Sequence, residues 1–340
     1  MDRNDALLAD WRERALALEA EVGKAVVGQR RALRLVNTAV FARGHVLLQG
    51  DVGVGKTTLL RAFAQVLGGR FARIEGTVDL MPNDLVYHAY IGADGRPAVQ
   101  PGPLIRHGEQ LSIFFFNEIN RARPQVHALM LRAMAERSVA AFDREHRLPH
   151  LLVFADRNRL EREETFEMSA AARDRFMMEV TIEAPQDPVL RRALMFDPRF
   201  HDTDRLVGAL APAMVPHEEL NAVAEAIQRA VQASEALQDY ALALCAATAE
   251  PARFGVRLEG LDVAHLMQAG ASPRGMGLLM RAARTAAWLE GRGYVTPEDL
   301  QAVFAETLAH RLVLDPVHEL QRHEIAPRLM QAIVGAVSAP

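Results

Sequence analysis

Gly50-Asp51-Val52-Gly53-Val54-Gly55-Lys56-Thr57 is the stretch on which the fold turns. It fits the pattern G-x-x-x-x-G-K-[ST] and stands in the context that pattern requires. A short apolar run, residues 45–49, precedes it, and a helix-periodic stretch, residues 57–67, follows. Glycines let the backbone wrap around phosphate oxygens, so that N–H groups and the helix N-terminus face the negative charge. Asp51, Val52 and Val54 occupy the variable positions of that loop. Lys56 supplies a point charge to the terminal phosphates, and the Thr57 hydroxyl is placed to ligate Mg²⁺, with Thr58 beside it in the first turn. A chance glycine turn would not bring strand, loop and helix in this order.

Working outward, residues 44–182 show short apolar runs alternating with helical stretches. The runs are residues 45–49, 71–74, 111–116, 151–155 and 176–182. None alternates polar with apolar, as expected of strands covered on both faces. Helical patterns at 57–67 and 125–136 fall between them, which predicts an α/β fold with a parallel sheet. Two hairpin-like insertions interrupt the pattern, one turning at Asp94-Gly95 and one centred on Asp143-Arg144-Glu145-His146. Before the loop, residues 5–43 are helix-periodic and broken at Gly28. After the sheet, residues 183–216 are proline-rich and read as a linker. Residues 218–340 are helix-periodic, with an N-terminal signature at Thr296-Pro297-Glu298-Asp299. The division expected is an α/β nucleotide-binding domain over 1–200 and an all-helical domain over 205–340.

Composition narrows the functional classes. The 340 residues are 50% hydrophobic, 24% charged and only 6% aromatic, an ordinary globular balance too long for one compact core. A formal net charge of −4 gives no general attraction to nucleic acid or an acidic membrane. Arg144, His146 and Arg147 on the second insertion therefore read as a solvated tip rather than a nucleic-acid contact. The charged start, Met1-Asp2-Arg3-Asn4-Asp5, precedes no apolar leader, and no run approaches the ~18 residues that span a bilayer. A cytoplasmic location is the expectation. The single cysteine, Cys245, lies in an apolar helical run and reads as a buried structural thiol. The 12 histidines form no metal-binding spacing, so the metal expected is the Mg²⁺ that accompanies nucleotide.

A phosphate loop alone does not separate kinases, GTPases and motors. Ile113-Phe114-Phe115-Phe116-Asn117-Glu118 adds an apolar strand ending in two polar residues, the form of a Walker B segment. A carboxylate at the carboxyl end of a central strand faces the ligand crevice. Glu118 can there polarise the water that attacks a γ-phosphate.

With Glu118-Ile119-Asn120-Arg121-Ala122 added, the chain resembles the MoxR branch of the AAA+ ATPases, itself similar to the ATPase subunit of magnesium chelatase. Val27-Gly28-Gln29 resembles the family's adenine-side box, which implies that Gly28 and Gln29 bind nucleotide. Asp79-Leu80-Met81-Pro82-Asn83-Asp84 and Pro101-Gly102-Pro103-Leu104 resemble the stretches flanking its helix-2 insertion, and the second hairpin then falls before sensor 1. Asn158 falls at the sensor-1 position, Asp174-Arg175-Phe176 resembles the arginine-finger segment, and Gly270-Ala271-Ser272-Pro273-Arg274 resembles sensor 2. The likeness runs along nearly the whole chain in about seven ordered motifs.

The resemblance implies a P-loop AAA+ core with a helical lid, ATP and Mg²⁺ as cofactors, and a homo-oligomeric ring, commonly a hexamer. It further implies chaperone-like activation or metal or cofactor insertion in a client enzyme, with a von Willebrand factor A-domain adaptor. Glu118, Asn158, Arg175 and Arg274 become the expected catalytic set, and Thr57 and Asn117 the metal-side residues. Two departures stand out: Asn117 replaces the family's usual aspartate, and Asp156-Arg157-Asn158-Arg159 is unusually charged. Arg173 competes with Arg175 for the finger. A nucleic-acid motor, or an ATP-binding switch with little hydrolysis, remain alternative readings.

Overall fold

The computed structural model describes residues 3–158 and 166–340. Arg159, the last of the charged sensor-1 quartet, lies outside the described residues. The chain opens with helices α1 (Arg3–Gly23) and α2 (Arg30–Phe41), followed by β1 (Val46–Gly50), α3 (Lys56–Leu67) and β2 (Arg70–Glu75). Then come α4 (Pro82–Val86), β3 (Tyr87–Ile91), β4 (Pro97–Pro101), β5 (Leu111–Asn117) and α5 (Pro124–Glu136). A second hairpin, β6 (Ser138–Ala141) and β7 (Arg144–Arg147), leads into β8 (Leu152–Asn158), α6 (Ala170–Arg173) and β9 (Met178–Thr181). The remainder is α7 (Pro188–Phe196), α8 (Thr203–Gly208), α9 (Leu220–Ala230), α10 (Glu235–Ala249), β10 (Met267–Ala269), α11 (Pro273–Leu289), α12 (Pro297–Leu308), β11 (Val313–Leu314) and α13 (Arg322–Ala336).

The chain divides into two compact units. The first comprises Glu13–Arg175 and Val180–Asn221. Its five-stranded sheet has the order β2-β5-β8-β1-β9, and the pairs β2–β5, β5–β8 and β8–β1 are parallel. All seven residues of β5 are buried, with Phe114, Phe115, Phe116 and Phe154 of β8 wholly enclosed. Cover on both faces is why these strands lack alternation. Both insertions are antiparallel hairpins, β3–β4 with Tyr87 opposite Pro101 and β6–β7 with Ser138 opposite Arg147.

The proline-rich stretch expected as a linker is instead ordered structure within this unit. Asp187 caps α7 through its side chain and Pro188 starts it, the position where a missing N–H costs nothing. Helix α8 is tied to α3 by an Arg61–Asp204 ion pair at 2.6 Å, and Ala213 N–H donates to Gln65 O at 3.0 Å. Prolines here begin helices rather than mark a tether.

The second unit takes the start of α1 as far as Arg12, Phe176–Glu179 and Ala222–Pro340. It is helical as expected and carries in addition the small antiparallel ladder β10–β11. Thr296 and Asp299 form the capping box that the sequence signature predicts for α12. Trp288 Nε1 donates to Leu8 O at 3.1 Å, which pins α1 to the end of α11.

Candidate nucleotide site

Three strand ends and one loop converge on the site. β1 delivers the loop Gly50–Gly55, and β5 and β8, side by side with Phe116 opposite Ala155, deliver Asn117-Glu118 and Asp156-Arg157-Asn158. The loop's glycines differ in what they permit. A Cβ on Gly50 would meet Ile182 O at 2.3 Å, so this position is closed by the backbone after β9. Gly53 and Gly55 take φ of +79° and +93°, and a Cβ built on either meets nothing within 4 Å. Their left-handed backbone leaves open space beside the N-terminus of α3, where a phosphate group can approach.

Lys56 is 6% exposed, with its ammonium folded across this loop. Nζ donates to Gly50 O at 2.6 Å, Asp51 O at 3.0 Å and Asn158 Oδ1 at 2.8 Å. Asn158 Nδ2 in turn donates to Glu118 Oε1 at 3.2 Å, and Arg121 Nη1 donates to Glu118 Oε2 at 3.0 Å. Lys56, Asn158 and Glu118 therefore form one hydrogen-bonded line, although 102 and 40 residues of chain separate its links. Thr57 and Thr58 are half-buried in the first turn of α3.

Glu118 holds the left-handed conformation at φ 51°, which costs a non-glycine residue about 1–2 kcal/mol. Its surroundings impose that conformation. Glu118 N–H donates to Asp156 Oδ1 at 2.5 Å, Arg121 N–H donates to Glu118 O at 2.9 Å, and Gly76 N–H donates to Asn117 O at 2.7 Å. A side chain at Gly76 would collide with Glu118 O at 2.1 Å. Strain concentrated on the carboxylate of a ligand crevice is characteristic of positioned catalytic groups.

Asn117 lies between Arg73 and Asp156. With its amide oriented to satisfy both ends, the oxygen accepts from Arg73 Nη2 at 3.2 Å and the nitrogen donates to Asp156 Oδ1 and Oδ2 at 3.3 Å. Asp156 is 2% exposed, and burial pushes its carboxyl up to about 6 against the opposing pull of the Glu118 N–H and Lys56. Asp156, Arg73, Arg121 and Gly76 were not among the expected site residues. Asp156 had a visible signal, a carboxylate two residues before Asn158, but its pairing with Asn117 depends on register.

Gly28 and Gln29 are brought to the same side of the sheet by the segment after β9. Ile182 N–H donates to Gln49 O at 2.8 Å, and one residue later Glu183 O accepts from Gln29 Nε2 at 2.5 Å. Gly28, at φ +76°, has Pro185 and Leu190 where a Cβ would point, at 3.0 and 3.1 Å. A cavity of about 710 Å³ opens here, lined in part by Val27, Gly28, Gln29, Leu33, Leu190 and Phe200. Its lining mixes these side chains with the charged Glu19, Lys24, Arg30, Arg34 and Arg199.

The two candidate finger arginines are placed differently. Arg173 is buried, with an ion pair to Glu167 at 3.6 Å. Arg175 is half-buried, and its Nε is enclosed without a hydrogen-bond partner among the described residues. Arg274 belongs to the other unit, exposed in the first turn of α11, where Ser272 Oγ accepts from Gly275 N–H at 3.0 Å.

Residues 45–178 match the profile of the ATPase family associated with various cellular activities (AAA), and residues 261–332 match the AAA lid domain. Protein MoxR of Methylorubrum extorquens is 59% identical over 336 residues, covering 99% of this chain and 98% of that one. The chain belongs to the MoxR family of AAA+ ATPases. A second Protein MoxR, from Paracoccus denitrificans, is 53% identical over 99% of both chains. Chaperone MoxR1 of Mycobacterium tuberculosis is 31% identical over 94% of this chain and 81% of that one. A crystal structure of a Cytophaga hutchinsonii protein assigned as an ATPase superposes with a TM-score of 0.83 at 28% identity, over 98% and 97% of the two chains.

This MoxR-family ATPase has a site that fits Mg·ATP. The open loop, the buried ammonium and the half-buried Thr57 suit the polyphosphate and its cation. Among the described residues no cluster of three or more His, Cys, Asp or Glu side chains offers a separate metal centre. Among them, too, no helix is long and apolar enough to cross a membrane.

Proposed function

We propose that the chain acts as a subunit of a ring that uses Mg·ATP hydrolysis to activate or mature a partner protein, in the manner of a chaperone. The observation that carries the hydrolytic part is the line Lys56–Asn158–Glu118 beneath an open glycine loop. Phosphate oxygens entering the loop compete with the Gly50 and Asp51 carbonyls for the Lys56 ammonium. That competition loosens Asn158, which is thereby coupled to γ-phosphate occupancy and through its amide to Glu118. Glu118, once oriented, accepts a proton from the attacking water. Mg²⁺, when bound with nucleotide, neutralises charge on the transferring phosphoryl group, and Thr57 is the hydroxyl placed to hold it. Asn117 stands on the metal side through Asp156.

Arg175 is the proposed finger, acting on the nucleotide of a neighbouring subunit. Arg175 is half-buried and makes no ion pair among the described residues, which leaves its guanidinium able to take a phosphate. Arg173 already has an acidic partner. Head-to-tail contacts of this kind close into rings. Arg274, in the lid unit, is the proposed second arginine sensor. A relative named as a chaperone supports the partner-directed role, with a von Willebrand factor A-domain protein and a client enzyme as the proposed partners.

Glu118→Gln should bind ATP and turn it over ~10²–10⁴-fold more slowly, because the binding groups remain and the proton acceptor is lost. Mixing it with Arg175→Ala subunits should restore part of the rate, since mixed rings contain interfaces with both wild-type groups. Wild-type turnover by Glu118→Gln would remove Glu118 from catalysis. No recovery in rings shown to be mixed would overturn action between subunits.

A further inference from the structure

Three carboxylates and two amides stand near the open loop, and they are not equivalent. Asp51 is exposed on the loop's outer side. Glu118 is engaged at both oxygens, by Asn158 and by the Arg121 guanidinium. Asn117, at the end of β5, is neutral. Asp156 is the remaining group: 2% exposed, with Glu118 N–H and the Asn117 amide as its hydrogen-bond donors. Among the described residues no cation lies within ion-pair distance of it, and Arg73 reaches the oxygen of Asn117 instead. Lys56 and Arg73 act on this buried carboxylate only from a distance, and a cation close by would stabilise it further.

Resting on the reading of this site as a Mg·ATP site, we propose that Asp156 supplies the negative charge on the metal side, with Asn117 as its neutral partner. Mg²⁺ binds hard oxygen ligands and keeps several of its waters, so a carboxylate set behind the strand ends can act through that water shell. Asn117 cannot carry this charge, yet its amide donates to both Asp156 oxygens at 3.3 Å. The two residues are cross-strand neighbours, one step beyond the Phe116–Ala155 pair, so the negative charge can sit on either strand end. Asp156 is thus a positioning residue for the metal, and its bond to Glu118 N–H ties that function to the geometry of the catalytic carboxylate.

The test is ADP affinity by calorimetry on the full chain, in saturating Mg²⁺ and in EDTA, for wild type, Asp156→Asn, Asn117→Asp and the exchange Asn117→Asp/Asp156→Asn. The gain in affinity from Mg²⁺ should fall roughly tenfold in Asp156→Asn, the step expected when a charge-assisted hydrogen bond becomes neutral, while affinity in EDTA stays within about twofold. The exchange should recover most of the Mg²⁺ gain. Asn117→Asp alone, with two carboxylates in contact, should gain less than the exchange. An unchanged Mg²⁺ gain in Asp156→Asn would overturn the proposal, as would an equal loss with and without Mg²⁺, which marks a structural role. If Asp156→Asn fails to fold, the exchange decides alone: a folded exchange without the Mg²⁺ gain overturns the proposal. A wild type that binds no ADP in EDTA or Mg²⁺ would strike the nucleotide reading itself, a result distinct from normal binding with a misplaced metal response.

Discussion

Two buried cations, one in each unit, look alike in their local chemistry and differ in what surrounds them. Lys56 is 6% exposed and donates to the Gly50 and Asp51 carbonyls of its own loop. Arg311 is 5% exposed and donates to the carbonyls of Phe176, Met177 and Thr307 in the lid unit. Around Arg311 the packing is closed: a Cβ on Gly275 would meet its Cδ at 2.7 Å. Beside Lys56, Gly53 and Gly55 have open space on the side where a Cβ would point. A cation on carbonyls in a closed pocket is a fastener between chain segments. The same cation beside open space at a helix N-terminus can exchange its carbonyls for an anion. Free volume, rather than burial or charge, separates the functional cation from the structural one.

The sharpest way to break that contrast is to remove each cation. Lys56→Ala should abolish nucleotide binding and lower ATP turnover to background, with a melting curve close to wild type. Loss of fold without Lys56, or retained ADP affinity, would place it with Arg311. On the proposed reading of the finger, Arg175→Ala should cost ~10³–10⁵ in turnover and leave single-subunit ADP affinity intact. Arg173→Ala, which removes a buried ion-pair partner, should instead lower stability. A reversed pattern in turnover and melting would exchange their roles.

Arg311→Met should leave several carbonyls without donors, at about 1–3 kcal/mol each, and lower the melting temperature by several degrees or more. Its turnover per folded molecule should change little at low temperature. A stable Arg311→Met protein that cannot hydrolyse ATP would mean that this cation, too, serves the nucleotide. The smallest effect concerns Cys245, 4% exposed and with burial pushing its thiol up to about 11. The folded protein at pH 8 should resist iodoacetamide, and labelling should appear only with unfolding, as mass spectrometry would show. Rapid labelling of native protein would mean that this part of the lid opens.

Local motifs were legible because their physics is local. The phosphate loop is contiguous, and Gly53 and Gly55 adopt the left-handed backbone that a tight wrap demands. The central strands could be read because cover on both faces leaves uninterrupted apolar runs, and Phe114–Phe116 are indeed wholly buried. The capping box at Thr296 and the turn at Asp94-Gly95 are set within a few residues. The proline-rich stretch misled because a proline gives the same signal in a linker and in the first turn of α7.

By itself, then, the sequence determined the strand–loop–helix that meets phosphate, the strand carrying Glu118, the two hairpins and the helical character of the second unit. Only the tertiary structure decided which polar groups meet at the strand ends. Asn117 and Asp156 each stood out as a departure from pattern, but nothing in their spacing says that they share a face. That follows from β5 pairing with β8 in one register, a slip of one residue being enough to turn either side chain to the opposite face. The line from Lys56 through Asn158 to Glu118 likewise exists only because β1, β8 and β5 are neighbours in the sheet. Sheet order and register are set by burying the whole core at once, a property of no single stretch of chain.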